Sequence, residues 1–166
     1  MKTFLFLASI AISMILTGCE GNEKTPSETP PGKESAKSLF DAPPYDAKRG
    51  EGKHSEASLK ITDNLDPAMA EAGEKIAKVK CFSCHKTTEE KLVGPGWKGV
   101  TKRRTPAWIM NFITNPDPML NKDPEAQAML EICLVRMPNQ NLTDDEARQI
   151  LEFQRQNDGV KFLGEK

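Results

Sequence analysis

The sequence predicts an all-α domain over residues 66–160, and three observations predict it. Apolar residues in this stretch recur at helical spacing. The runs are opened by the cap-then-proline pairs Asp66-Pro67, Thr105-Pro106 and Asp123-Pro124 and by a capping box from Thr143 to Glu146. No strand-helix-strand alternation or internal repeat interrupts them. A chain of 166 residues with a formal charge of −1 suits one soluble globular unit. That balance gives no basic surface for nucleic acid, and no run of like charges marks an interaction tail.

The first helix opens at Asp66-Pro67 and carries Met69, Gly73, Ile76 and Ala77 or Lys80 on one face as it runs to Cys81. Gly94, Pro95, Gly96 and Gly99 then mark a loop. The second helix begins at Pro106 and presents Trp108, Ile109, Phe112 and Ile113. Asn115-Pro116 stops it, because proline disfavours helical geometry in the residue before it. A third helix opens at Asp123-Pro124 and reaches about Cys133. The last follows the capping box, with Ile150, Leu151 and Phe153 on its apolar side and Gly159 beyond its end. Upstream, residues 39–65 read as an extended or irregular segment that lies across the domain surface at most. Pro43, Pro44 and the stretch from Arg49 to Gly52 are loop signals, while Leu59 and Ile61 alternate with polar neighbours as a short strand does. Residues 161–166 read as a tail.

The N-terminus is of another kind. Lys2 is followed by an apolar run from Phe4 to Leu16, too short for a typical membrane span and right for the core of a secretory signal. It ends at Leu16, Thr17, Gly18 and Cys19, which resembles the lipobox of bacterial lipoproteins. The resemblance implies that residues 1–18 are a signal peptide and that Cys19 is acylated. Each buried methylene contributes about 0.8 kcal/mol, so several chains on one cysteine anchor a protein stably. Such a protein is anchored to the membrane and does not span it. Cleavage removes Lys2 and no acid, leaving the chain slightly more negative. Residues 19–38 are rich in Pro, Gly, Ser and charge, cannot bury enough surface to offset ordering entropy, and read as a disordered tether.

Within the domain, Cys81, Phe82, Ser83, Cys84 and His85 form a Cys-x-x-Cys-His motif. A thiol redox pair belongs at the start of a helix beside a parallel sheet, and this pair follows a helix with no sheet in view. A zinc site needs a second ligand pair, but the rest of the chain offers only His54, Cys19 and Cys133. The motif is the attachment site of c-type haem, in which both thiols bond the haem vinyl groups and the histidine is the proximal iron ligand. An export signal fits, because c-type haem is attached outside the bacterial cytoplasm. For the sixth ligand, Met137 stands before Pro138 in a polar loop, so it is held out of helical geometry and can present its thioether inward. Met69, Met110, Met119 and Met129 sit on or near helices and read as core methionines. His54 is a weaker rival, lying before the domain in flexible sequence.

On these residues the domain resembles a monohaem class I cytochrome c over roughly residues 66–157. The resemblance implies that fold: helices around one covalent haem c, crossing first and last helices, and here an extra helix before the axial-methionine loop. Gly73 matches the glycine that lets the last helix cross closely, and Phe153 matches the aromatic brought to the crossing. Ala77 stands where the first-helix aromatic is expected, and Trp97 where leucine is usual. Gly94-Pro95 matches the loop whose proline carbonyl accepts a hydrogen bond from the proximal histidine, which increases its donor strength toward iron. Trp108, Asn115-Pro116, Met137-Pro138 and Leu142-Thr143 match further positions. The stretch between Pro116 and Met137 is longer than in compact members and contains Cys133, a buried small hydrophobe or else a thiol for a disulfide or for sensing.

Lys80, Lys86, Lys91, Lys98, Lys102, Arg103 and Arg104 lie around the expected haem edge, and the last helix supplies Asp144, Asp145, Glu146 and Glu152. They form a solvated charged surface, or the lysines steer an acidic redox partner while Arg104 or Trp108 donates to a haem propionate. The resemblance implies an electron carrier with no catalytic residues, lipid-anchored on the periplasmic side of the bacterial cell envelope. It would shuttle Fe(III)/Fe(II) between a respiratory donor, such as a quinol-oxidising complex, and a terminal reductase or oxidase such as nitrous oxide reductase. The alternative is a haem enzyme or gas sensor with an open or labile sixth position, although no distal His or Arg is evident opposite His85.

Overall fold

The computed structural model describes residues 44–162. The signal peptide, Cys19 and the tether read from the sequence lie outside the described residues. Among the described residues seven helices follow one another: α1 Glu56–Leu59, α2 Pro67–Lys80, α3 Val100–Arg103, α4 Pro106–Thr114, α5 Pro116–Lys122, α6 Pro124–Cys133 and α7 Asp144–Asn157. Among the described residues the fold is all-α, with one isolated bridge, His85 to Lys91, and no strand.

The caps form where the sequence puts them. Asp66, Thr105 and Asp123 each accept a first-turn backbone N–H with their side chain, ahead of a proline whose missing N–H no helix end needs. Thr143 and Glu146 close a reciprocal capping box on α7. The two long helices, α2 and α7, cross at Gly73, where any Cβ would overlap the backbone carbonyl oxygen of Gln149. Ala77 is fully buried beneath the crossing. The aromatic packing there comes from elsewhere: Phe153 of α7 lies 6.1 Å from Phe82 and 6.3 Å from Trp97, which themselves meet edge-on at 5.8 Å. Phe82 of the motif and Trp97 of the following loop thus fill the space that an aromatic at position 77 would occupy.

Three expectations are corrected. The alternation at Leu59 and Ile61 is not a strand: residues 56–59 are helix α1, closed by a capping box between Ser55 and Ser58, and both apolar side chains pack against the core. The segment before α2 is more than a surface cover. Asn111 of α4 accepts the N–H of His54 at 2.8 Å and donates to the carbonyls of Arg49 and His54, and Glu56 accepts the N–H of Ala107 at 3.0 Å. Finally, Glu152 is not a surface acid. It is fully buried, accepting from Arg155, from Arg148 and from the backbone N–H of Asp66, so it fastens α7 to the start of α2. Asn115-Pro116 does end α4, yet Pro116 also takes the first position of α5.

Candidate functional site

Helix α2 ends in a turn in which the N–H groups of Cys84 and His85 both bond the Cys81 carbonyl at 3.0 Å. This turn gathers Cys81, Cys84 and His85 along one wall. The next loop folds back because Gly94 N–H bonds the Cys84 carbonyl at 2.8 Å and Trp97 N–H bonds that of Lys86 at 2.9 Å. As a result the Pro95 carbonyl oxygen arrives 2.8 Å from His85 Nδ1. Gly94 is required for this approach, since a Cβ there would overlap the imidazole ring.

The protonation of His85 follows from that contact. A carbonyl carries no proton, so Nδ1–H donates, and the neutral ring keeps its lone pair on Nε2. Burial holds His85 below the usual imidazole range, and the bond to Pro95 offsets part of that. Burial likewise pushes the Cys81 thiol up to about 11, against the pull of the Lys80 charge. Cys81, Cys84 and Cys133 are all unpaired thiols.

Cys81, Cys84, His85 and Pro95 line a cavity of about 310 Å³, together with Met137 from the loop between α6 and α7. Its other walls are mainly apolar and include Trp97, Ile109, Phe112 and Ile150. A smaller cavity of about 80 Å³ shares Cys84, His85 and Met137 and is bounded also by Cys133 and Val135. No group of three or more His, Cys, Asp or Glu among the described residues is arranged to hold a bare metal ion. Two thiols, a neutral imidazole and a thioether around an apolar cavity are instead the donor set of a covalently held haem, and the residues fit that group.

Arg104 and Trp108 also line the cavity, but both are committed elsewhere. The Trp108 indole N–H donates to Asp123 at 3.1 Å, and the Arg104 guanidinium, 5.0 Å above the Trp108 ring, pairs with Glu125 at 2.6 Å. Each thus has a protein partner while it lines the cavity, and α6 and its cap residue supply those carboxylates. Among the lysines, Lys80 pairs with Glu146 and Lys86 with Glu90, while Lys91 and Lys98 donate to backbone carbonyls. His54 is buried rather than flexible and does not line the cavity. Its Nε2 lies at ion-pair distance from Asp144, 3.4 Å, without hydrogen-bond geometry.

Met110 and Met119 are core residues, the latter accepting the N–H of Glu51 on its sulfur. Met129, read from the sequence as core, lines both cavities. The sequence reading missed Gln154 in the wall of the larger cavity. Its spacing from Ile150, one helical turn away, was the available signal.

The chain matches the family model described as Cytochrome c over residues 70–157. Among solved structures it is similar to the cytochrome c of Rhodothermus marinus, with 32% identity over 68% of this chain and 92% of that one and a TM-score of 0.60. It is similar to an engineered form of that protein, Rma TDE, with 31% identity over 68% and 93% of the two chains and a TM-score of 0.60. The same engineered protein bound to a carbene intermediate gives 32% identity over 68% and 93%, with a TM-score of 0.57. No curated protein matches the chain.

Proposed function

The chain belongs to the cytochrome c family, and on that premise we propose that it is a lipid-anchored periplasmic electron carrier with histidine-methionine ligation. Membership supplies two statements: the cofactor is covalently attached haem c, and the general role is electron transfer. Cys81 and Cys84 would hold the haem by thioether bonds, and His85 Nε2 and Met137 would supply donors to its iron. When bound, the haem supplies a one-electron Fe(III)/Fe(II) couple.

The chain's own residues do the rest. The Pro95 carbonyl fixes the imidazole tautomer and orientation. The apolar wall keeps water from the site, and a thioether donor from Met137 would favour the ferrous state of the haem. The observation that carries this reading is the hydrogen bond from His85 Nδ1–H to Pro95 on the wall that also holds both thiols.

The test is the absorption spectrum of the matured protein, oxidised, reduced, and reduced under carbon monoxide. A low-spin spectrum with a methionine-to-iron charge-transfer band and no response to carbon monoxide supports the carrier. Ready binding of carbon monoxide supports an open-site haem enzyme or sensor. Because Met129 shares the cavity, the ligand is assigned by comparing Met137→Ala with Met129→Ala: only the former is expected to lose the charge-transfer band.

Anchoring rests on the lipobox-like Leu16, Thr17, Gly18 and Cys19. Cys19→Ser is expected to move the protein from the membrane fraction to the soluble one, and retention in the membrane fraction refutes the lipid anchor. The partners proposed are a quinol-oxidising or other respiratory donor and a terminal reductase or oxidase. A long polar tether suits that role, since it lets one domain reach both while keeping their effective concentration high.

A further inference from the structure

We infer that Gln154 sets the reduction potential of the cofactor, acting as an unpartnered amide dipole in the cavity wall. Gln154 is 3% exposed, and its Oε1 is buried with no hydrogen-bond partner. A buried amide without a partner is costly, so natural structures seldom keep one without a reason. Its neighbours on α7 show that the helix can satisfy buried polar groups: Glu152 and Arg155, both buried, bond each other at 2.8 Å. Five other polar side chains of the cavity are engaged. Trp108 bonds Asp123, Arg104 pairs with Glu125, Arg103 donates to the Lys98 carbonyl, Lys80 pairs with Glu146, and Gln140 donates to the Pro138 carbonyl. The other buried side-chain atom without a hydrogen bond among the described residues, His54 Nε2, lies outside the cavity beside Asp144.

Chemistry gives the sign. The terminal torsion of a glutamine is soft, so an amide whose oxygen has no partner turns that oxygen toward the nearest positive charge. Oxidised haem carries one more positive charge than reduced haem, and in a low-dielectric cavity a carbonyl oxygen turned toward that charge stabilises it strongly. Gln154 therefore holds the ferric form and keeps the potential below what an apolar side chain at this position gives. The inference rests on haem occupying the cavity and does not depend on which methionine is the sixth ligand.

The test is spectroelectrochemical titration of the full-length holoprotein and two variants. Gln154→Met, apolar and of similar length, is expected to shift the midpoint potential upward while the absorption spectrum stays that of the wild type. Gln154→Glu is expected to shift it downward at high pH and to make it vary with pH as the introduced carboxyl titrates. Wild-type potentials in both variants, or a downward shift in Gln154→Met, would overturn the role of Gln154. If Gln154→Glu does not mature, the direction found for Gln154→Met decides alone. Carbon monoxide binding by the wild type would count against the axial assignment only, and the potential difference between wild type and Gln154→Met would still be read.

Discussion

At the scale of single residues, the site is held by contacts that tolerate no added atom or altered charge. Gly94→Ala places a methyl group in the space of the His85 ring, so the variant is expected to lose most of its covalently bound haem, measured as haem absorbance per protein. One histidine also sets a pH dependence. With His85 reserved for iron, it is His54 whose proton affinity burial lowers in the folded protein. As pH falls below about 6.5, the unfolded chain therefore takes up protons before the folded one does. Its contribution to stability is full above that value and is lost as pH falls toward its depressed folded-state value. Denaturant midpoints are expected to drop between about pH 7 and pH 5, with a shallower drop in His54→Asn; a flat profile refutes the assignment. Cys81, Cys84, His85 and Met137 stand out in the sequence because their identities carry the chemistry, and the fold brings the four to one cavity. Gln154 and the buried Glu152 do not stand out, since a polar residue on a helix reads as solvated until the fold buries it.

At the scale of elements, one carboxylate joins three parts of the chain: the cap of α6, helix α4 and the segment before α1. Asp123 is fully buried, caps α6 by accepting the Ala126 N–H at 2.8 Å, and accepts from Trp108 at 3.1 Å and from the Tyr45 hydroxyl at 2.6 Å. Burial, followed by the bond to Asp123, pushes the Tyr45 phenol above its ordinary range, so it remains a donor. Asp123→Ala strands two side-chain donors and a helix start and is expected to destabilise by about 3–5 kcal/mol. Tyr45→Phe removes one bond, for about 1 kcal/mol. Both are read from denaturant midpoints, and equal effects would show that Asp123 acts only through Tyr45. Three proline-led caps and one capping box made four helices legible, because those signals are local. Helix α1, the docking of residues 44–65 and the dual role of Asp123 depend on partners more than fifty residues away, which no periodicity reports.

At the scale of the whole molecule, the cofactor cavity and the hydrophobic core are one structure. Trp97, Trp108, Ile109, Ile113 and Ile150 belong both to the main buried cluster and to the cavity wall. The cluster therefore reaches native density only with the haem in place. The capped helices α2, α4, α6 and α7 persist more readily, because their end signals are local. The chain without haem is thus expected to keep much of its helix and lose its fixed packing. The Cys81→Ser, Cys84→Ser double variant tests this, since it removes covalent attachment and leaves the caps intact. Compared with the holoprotein, it is expected to retain most of the far-ultraviolet circular dichroism, lose the near-ultraviolet signals of Trp97 and Trp108, and melt without a sharp transition. A cooperative transition near that of the holoprotein would show that the helices pack without the cofactor and that the cavity collapses when it is absent.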